Sequence, residues 1–377
     1  MVYLDYASHT PANDDVLQTY LLTEQNFTGN PMSNHTIGEK ARDELSRVTF
    51  SIAQILDIEP EEIIFTSSAT EANNLAIKGI AQTYKYKGRH VLSTCLEHPS
   101  VSGTLTALQE TDFEVELLRI MPDGIIDLAH LKSAIRTDTI LVCVSTIDSE
   151  LGVIQPIQEI SNIIAKHPNC LLHIDASQAM GKMPATMAKA ATMSFSPHKF
   201  YGLCGSGVLL KQKNIVLEPQ IHGGGSASIY RSGTPCLGLA AACEKALNVA
   251  FANQTDWFKK VTILNSYLRQ RLDKYPFVRI NSPKNGSPYI LNLSIKDIIA
   301  TQFVTLLDKQ GVCVSVKSAC STNHSPSRPV LAVTGDRKNA LCSWRVSLSH
   351  LTEIKDLDIF LSALLHVFEN LCLEDTK

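Results

Sequence analysis

The chain has 377 residues, 44% hydrophobic and 19% charged, with a net charge of −3. That length predicts roughly two domains of about 100–200 residues, and the interspersed charges exclude a basic nucleic-acid patch or an acidic disordered arm. No direct nucleic-acid binding is expected. The opening "MVYLDYASHTP" lacks a basic segment followed by an apolar one, so no signal peptide is expected. No apolar run reaches the roughly 18 residues of a membrane span.

In chain order, short apolar runs alternate with helix-like stretches. "EEIIFTSS" leads into "ATEANNLAIKGIAQTY", and "RHVLSTCLEH" into "PSVSGTLTALQE". "TILVCVST" precedes "PIQEISNIIAKH", and "CLLHIDAS" precedes a short connection to "ATMSFSPHKF". Strand-length runs that are apolar throughout predict a parallel sheet buried on both faces, and their alternation with helices predicts a doubly wound α/β domain. From about residue 256 the texture changes. "DWFKKVTILNSYLRQRLDKY" spaces Trp257, Val261, Leu264, Leu268 and Leu272 as on one face of a helix. "YILNLSI" reads as a strand, "IATQFVTLLDKQG" as a helix closed by Gly311, and "SWRVSLS" as a strand. This α+β pattern predicts a second, smaller domain.

Ten cysteines are scattered with no CxxC pair, which predicts reduced, mostly buried thiols in a cytoplasmic protein and no metal site. Ligands of a doubly wound sheet bind beyond the carboxyl ends of its strands. The polar residues there are Ser67 to Glu71, His98, Ser149, Asp175 to Gln178 and Ser196 to Lys199. Ser68-Ala-Thr-Glu71 has capping-box spacing, and the helix it opens offers free N–H groups to an anion, although a cap alone is ordinary. Asp175 ends an apolar strand, where a carboxylate either pairs with a cationic ring nitrogen or caps a turn. Lys199 follows another strand, where a desolvated amine forms Schiff bases and a solvated one merely snorkels. A phosphate cradle, an acid and an amine at one crevice together describe pyridoxal 5′-phosphate (PLP), an electron sink. "HGGGSAS" lacks the strand and helix of a dinucleotide loop.

Read together, the chain resembles the class V aminotransferase-like family of PLP enzymes and, within it, the group I cysteine desulfurases. The segments that carry the likeness are "YLDYASHTP", "FTSSATEANNLAIKG", "LEH", "HIDASQ", "SFSPHKFYG", "HGGG", "RSGTP", "KSAC" and "SWRVSLS", in that order. The resemblance implies a PLP fold-type I architecture, with a mostly parallel sheet flanked by helices in a large domain over 13–255. A smaller α+β domain, 1–12 and 256–377, would carry a loop around Cys320. It implies that Lys199 forms the Schiff base, Asp175 faces the pyridine nitrogen, Gln178 bonds the phenolic oxygen and His98 stacks on the ring and moves protons. Ala69, Thr70, Ser196 and His198 would contact the phosphate, and Thr234 would reach the phosphate of a neighbouring subunit in a homodimer. Arg345, with Ser149 and Asn34, would bind the substrate. Cys320 would take the sulfur of L-cysteine as a persulfide, for delivery to a sulfur-acceptor protein or tRNA-modifying enzyme. "STNHSPSRP" after Cys320 reads as a mobile loop, and His324 within it as a solvated side chain. The departures are Ser149 near the family's usual Asn, Ser226 and Ala227 after "HGGG", "LCGSG" for a Gly-Pro-Lys run, and Lys317 for a common Gly. They leave open a selenocysteine lyase, a cysteine-sulfinate desulfinase, or a catalytically weakened partner protein.

Overall fold

A computed structural model of the chain describes residues 1–187, 189–224, 227–317 and 325–374. A two-residue strand, β1 (Val2–Tyr3), is followed by α1 (Asp14–Asn26), capped by the Asn13 side chain, and α2 (Thr36–Leu56), ended by Asp57 in the left-handed region. Strands and helices then alternate: β2 (Ile63–Thr66), α3 (Ala69–Tyr84), β3 (His90–Ser93), α4 (Pro99–Gln109), β4 (Glu114–Leu117), α5 (Leu128–Ala134), β5 (Thr139–Ser145), α6 (Ile157–Ile164) and β6 (Leu171–Asp175). Two more strands, β7 (Thr192–Phe195) and β8 (Gly207–Lys211), complete one seven-stranded sheet.

Its order is β2-β8-β7-β6-β5-β3-β4, with every neighbour parallel except those of β8. Helices cover both faces. All seven residues of β5 are buried, which is why that strand does not alternate polar and apolar. The α/β architecture read from the sequence is the one observed.

The chain continues with α7 (Leu237–Leu272), β9 (Val278–Ile280), β10 (Ile290–Ile295), α8 (Ala300–Lys309), β11 (Val312–Cys313), α9 (Arg328–Thr334), α10 (Arg337–Leu341), β12 (Ser343–Ser347) and α11 (Ile354–Glu374). Strands β12-β10-β9 form an antiparallel sheet, and β11 pairs in parallel with β1. Gly311, at φ 78°, turns the chain out of α8 as its position predicted. The amphipathic helix expected from residue 256 is the second half of α7, which runs unbroken for 36 residues. Its first half, through Ala250, packs into one apolar core with Phe195 and Phe200. Its second half, from Val261 to Leu272, packs into another core with Trp344 and Phe360. The border expected at residues 255/256 therefore lies inside a continuous helix. Each such large apolar side chain contributes about 1.5–3 kcal/mol by leaving water, so both cores anchor the same rod.

Candidate active site

A cavity of about 260 Å³ opens where β2, β5, β6 and β7 end. It brings together Ala69, Thr70, His98, Ser149, Asp175, Gln178, Ser196, His198, Lys199 and Arg345 from segments far apart in sequence. The parallel strands account for this. Each delivers its last residue to the same edge, and the following loop turns across it.

At one wall α3 begins. Ser68 is its N-cap, and its hydroxyl accepts the Glu71 N–H at 3.2 Å. Only half of the expected capping box forms. The Glu71 carboxylate takes the N–H of Ser67 instead, at 2.7 Å, and the Arg231 guanidinium at 2.9 Å. A side chain at Gly207 would put a carbon 2.3 Å from the Ser68 carbonyl carbon, so glycine lets β8 press the loop into place. Ser196 stitches this wall together: its hydroxyl accepts the Ala69 N–H at 2.9 Å and donates to the Ser206 carbonyl at 3.0 Å. The first-turn N–H groups and the positive helix end make an anion site. His198 lines it too, stacked on His9 at 5.8 Å, and burial and the Lys199 charge push its titration down to about 4.

On the floor, Asp175 is buried, with Oδ1 accepting the Ser177 N–H and Oδ2 the Asn73 side-chain N–H, each at 2.9 Å. Lys199 Nζ donates to the Ala7 carbonyl at 2.9 Å and the Ser8 carbonyl at 2.6 Å. Gln178 donates to the same Ala7 carbonyl at 2.9 Å while its own carbonyl takes Lys182 Nζ at 3.0 Å. Lys182 is fully buried, and burial, then the Lys199 and Arg345 charges, lower it to about 7. His98 is the N-cap of α4, and burial lowers its pKa despite the raising effect of Asp175.

Among the described residues that line the cavity, Arg345, on β12, is the only one from the second sheet. It is buried, and its guanidinium donates to Asp5 at 2.9 Å, Ser8 Oγ at 2.7 Å and the Ser149 carbonyl at 2.7 Å. Ser149 thus meets Arg345 through its backbone as well as lining the cavity. The Nε of Arg345 and the hydroxyl of Ser177 are buried without a hydrogen-bond partner among the described residues.

Not every expected residue lies here. Thr234 lines a separate cavity of about 500 Å³ with Ser67, Gly207 and Arg231. Asn34 is exposed in the segment before α2 and does not line the site cavity. Cys320 and His324 lie outside the described residues. Lys317, just before them, is buried. Its ammonium bonds the Ser325 carbonyl and, at 3.0 Å, the Ser325 hydroxyl, so it joins the two described ends that flank 318–324. That gives the lysine a structural task where the family commonly has glycine.

Several residues escaped the sequence reading. Asn73, Ser100, His173 and Lys182 hold the expected ones from behind. A histidine inside the apolar run "LLHID" was the one available signal, because a buried imidazole needs partners on both nitrogens. Asp5 and Ser8, which seat Arg345, are legible only once β1 is seen beside β11 and Ser347.

These residues fit PLP. A carboxylate, an amine, an imidazole and a helix N-terminus surround one cavity, and the lining residues Arg345 and Ser177 each carry a buried polar atom with no partner among the described residues. The comparisons define the class: residues 2–360 match the family Aminotransferase class-V, and the chain belongs to it. Its cofactor is therefore pyridoxal 5′-phosphate. The chain is 34% identical over 375 residues to a cysteine desulfurase IscS of Dictyoglomus turgidum, covering 98% of this chain and 95% of that one. It superposes with a TM-score of 0.91 on a solved NifS-like protein, at 30% identity over 98% and 99% of the two chains. A structure of SspA in complex with cysteine matches with a TM-score of 0.81 and 28% identity, covering 92% and 99%.

Proposed function

We propose that the protein is a cysteine desulfurase that moves the sulfur of L-cysteine onto Cys320 as a persulfide and releases L-alanine. The observation that carries this is Arg345, a buried guanidinium lining the cavity that holds Lys199 and Asp175. It offers an α-carboxylate a charged anchor beside the amine that binds the cofactor. The relative solved with cysteine supports an amino acid of that size.

The bound cofactor supplies an electron sink at the substrate carbon. The chain's own residues do the rest. Lys199 binds the cofactor, Asp175 holds a proton at its ring nitrogen, and Gln178 donates to its phenolic oxygen. Ala69, Thr70, Ser196 and His198 hold its phosphate. His98 exchanges a proton at Nε2. Cys320, as thiolate, attacks the substrate sulfur; the carbon–sulfur pair stays with carbon, which takes a proton and leaves as alanine, while Cys320 keeps the sulfur. Oxidation states balance without an added oxidant.

The same reading makes the enzyme a homodimer in which Thr234 reaches a neighbour's phosphate, and counts Asn34 with Ser149 and Arg345 among the substrate-binding residues. It divides the chain into domains near residue 256, places it in the cytoplasm and gives it a sulfur-acceptor protein or tRNA-modifying enzyme as partner. The purified protein should be yellow, and Lys199→Ala should lose the colour. Cys320→Ala should keep the colour but lose sulfide release from cysteine under reductant. Sulfide release that persists in Cys320→Ala overturns the persulfide route and points to a selenocysteine lyase or cysteine-sulfinate desulfinase, which the same variant tests on those substrates.

A further inference from the structure

We propose that Asn73 is a positioning residue whose single amide orients both the carboxylate facing the cofactor's ring nitrogen and, through the Ser100 hydroxyl, one of the two hydrogen bonds that hold His98 neutral at Nδ1. The proposal rests on the reading of Asp175 and His98 given above, and it concerns residues to which no role has yet been given.

Asn73 lies on α3, completely buried beneath the cavity floor. Asp175 Oδ2, a carboxylate oxygen, offers only lone pairs, so the end of the amide that faces it at 2.9 Å is the NH₂. The other N–H of that NH₂ meets Ser100 Oγ at 2.8 Å. The amide carbonyl accepts His173 Nε2 at 2.9 Å and the Ser194 hydroxyl. His173 Nδ1 in turn faces the Thr192 hydroxyl at 2.9 Å. Every polar atom of Asn73 is therefore committed, and its orientation has one solution.

That solution propagates. Because Ser100 Oγ accepts from Asn73, its own hydrogen is directed at the remaining partner, His98 Nδ1, 2.8 Å away. The backbone N–H of Ser100 also donates to His98 Nδ1, at 3.1 Å. An imidazole nitrogen that receives two donors carries no proton, so the neutral ring bears its hydrogen on Nε2. The nitrogen left to exchange a proton at the cavity is Nε2. Two groups of opposite function, the acid that would face the ring nitrogen and the base that would stack on the ring, are thus wired to the same amide. Buried networks of this kind are costly to leave half satisfied, which makes the arrangement stiff.

The test uses cofactor-loaded protein with ¹⁵N-labelled histidine. The charged groups that face His98 are Asp175, Lys199, Arg345 and Arg328, and they are unchanged in every variant. Wild type should show His98 protonated at Nε2 only. Ser100→Ala removes one donor to the neutral ring, so the His98 pKa should rise by about 0.5–1 unit, while PLP affinity stays within about twofold of wild type. Asn73→Ala should shift His98 in the same direction and in addition weaken PLP about tenfold or more, because Asp175 loses its anchor. If Asn73→Ala does not fold, Ser100→Ala carries the His98 arm and Asn73→Val, closer in size and without a donor, the cofactor arm. An unshifted His98 titration in Ser100→Ala, or wild-type PLP affinity in the Asn73 variant, overturns the proposal. None of these readouts needs substrate turnover, so they stand or fall apart from the desulfurase assay.

Discussion

Arg345 shows how much a single residue depends on its seat. Its fork is spread over a carboxylate, a hydroxyl and a carbonyl, all within 2.9 Å. A lysine keeps the charge but places a point ammonium where three directed bonds were made. Arg345→Lys should therefore retain bound PLP yet raise KM for cysteine at least tenfold, read by steady-state kinetics alongside the absorbance spectrum. Unchanged KM would remove Arg345 from the carboxylate site. The residue was legible in "SWRVSLS" only as a cation after a strand. Asp5 and Ser8, 340 and 337 positions away, were not, because nothing local links them to it.

Among the elements, α3 contributes both to the wall of the site and to the layer behind its floor. Its N-cap, Ser68, lines the site cavity, and Asn73 comes one turn later on its inner face. Ser68→Ala should cost about 1 kcal/mol of stability through the lost cap, measured by denaturant unfolding of the cofactor-free protein, and should also weaken PLP binding. Loss of stability with wild-type cofactor affinity would confine Ser68 to capping. The start of α3 was readable from "SSATE", since hydroxyl residues before a helix satisfy its free N–H groups. The shift of Glu71 from Ser68 to Ser67 and Arg231 was not, because Arg231 comes from 160 residues away. The length of α7 escaped for a related reason. "LGLAAACEKALNVAFANQTDWF" changes its apolar face midway, as the helix leaves one core and enters another, and a change of face looks like a break.

For the whole molecule, buried titratable groups set a pH dependence. Burial lowers His98 and His173 and takes His198 and His350 down to about 4, whereas unfolded histidines charge near 6.5. Between those values the unfolded chain binds the extra protons, so this stabilisation is complete above about pH 6.5 and is lost as pH falls towards 4. Burial also raises Glu97 to about 8 and Asp148 to about 7, which works the other way, removing stability as pH rises through the same window. Four histidines oppose two carboxyls, so the net slope is positive. The urea midpoint should be higher at about pH 6.5 than at about pH 5. A flat or inverted profile would mean that the histidines are not held neutral.

The sequence by itself determined the layered α/β class, the chain order of the strand-like runs that lead to the site, and the motifs that mark the family. These are local properties. Periodicity is written in neighbouring residues, and a motif is a short run whose chemistry travels with it. Only the tertiary structure decided how those residues are held: Asn73 between Asp175 and Ser100, Lys182 behind Gln178, Asp5 and Ser8 under Arg345, and Lys317 across to Ser325. The physical reason is the same in each case. A buried polar group must find its partner wherever the packed chain puts one, and in most of these pairs the partner lies far away in the sequence.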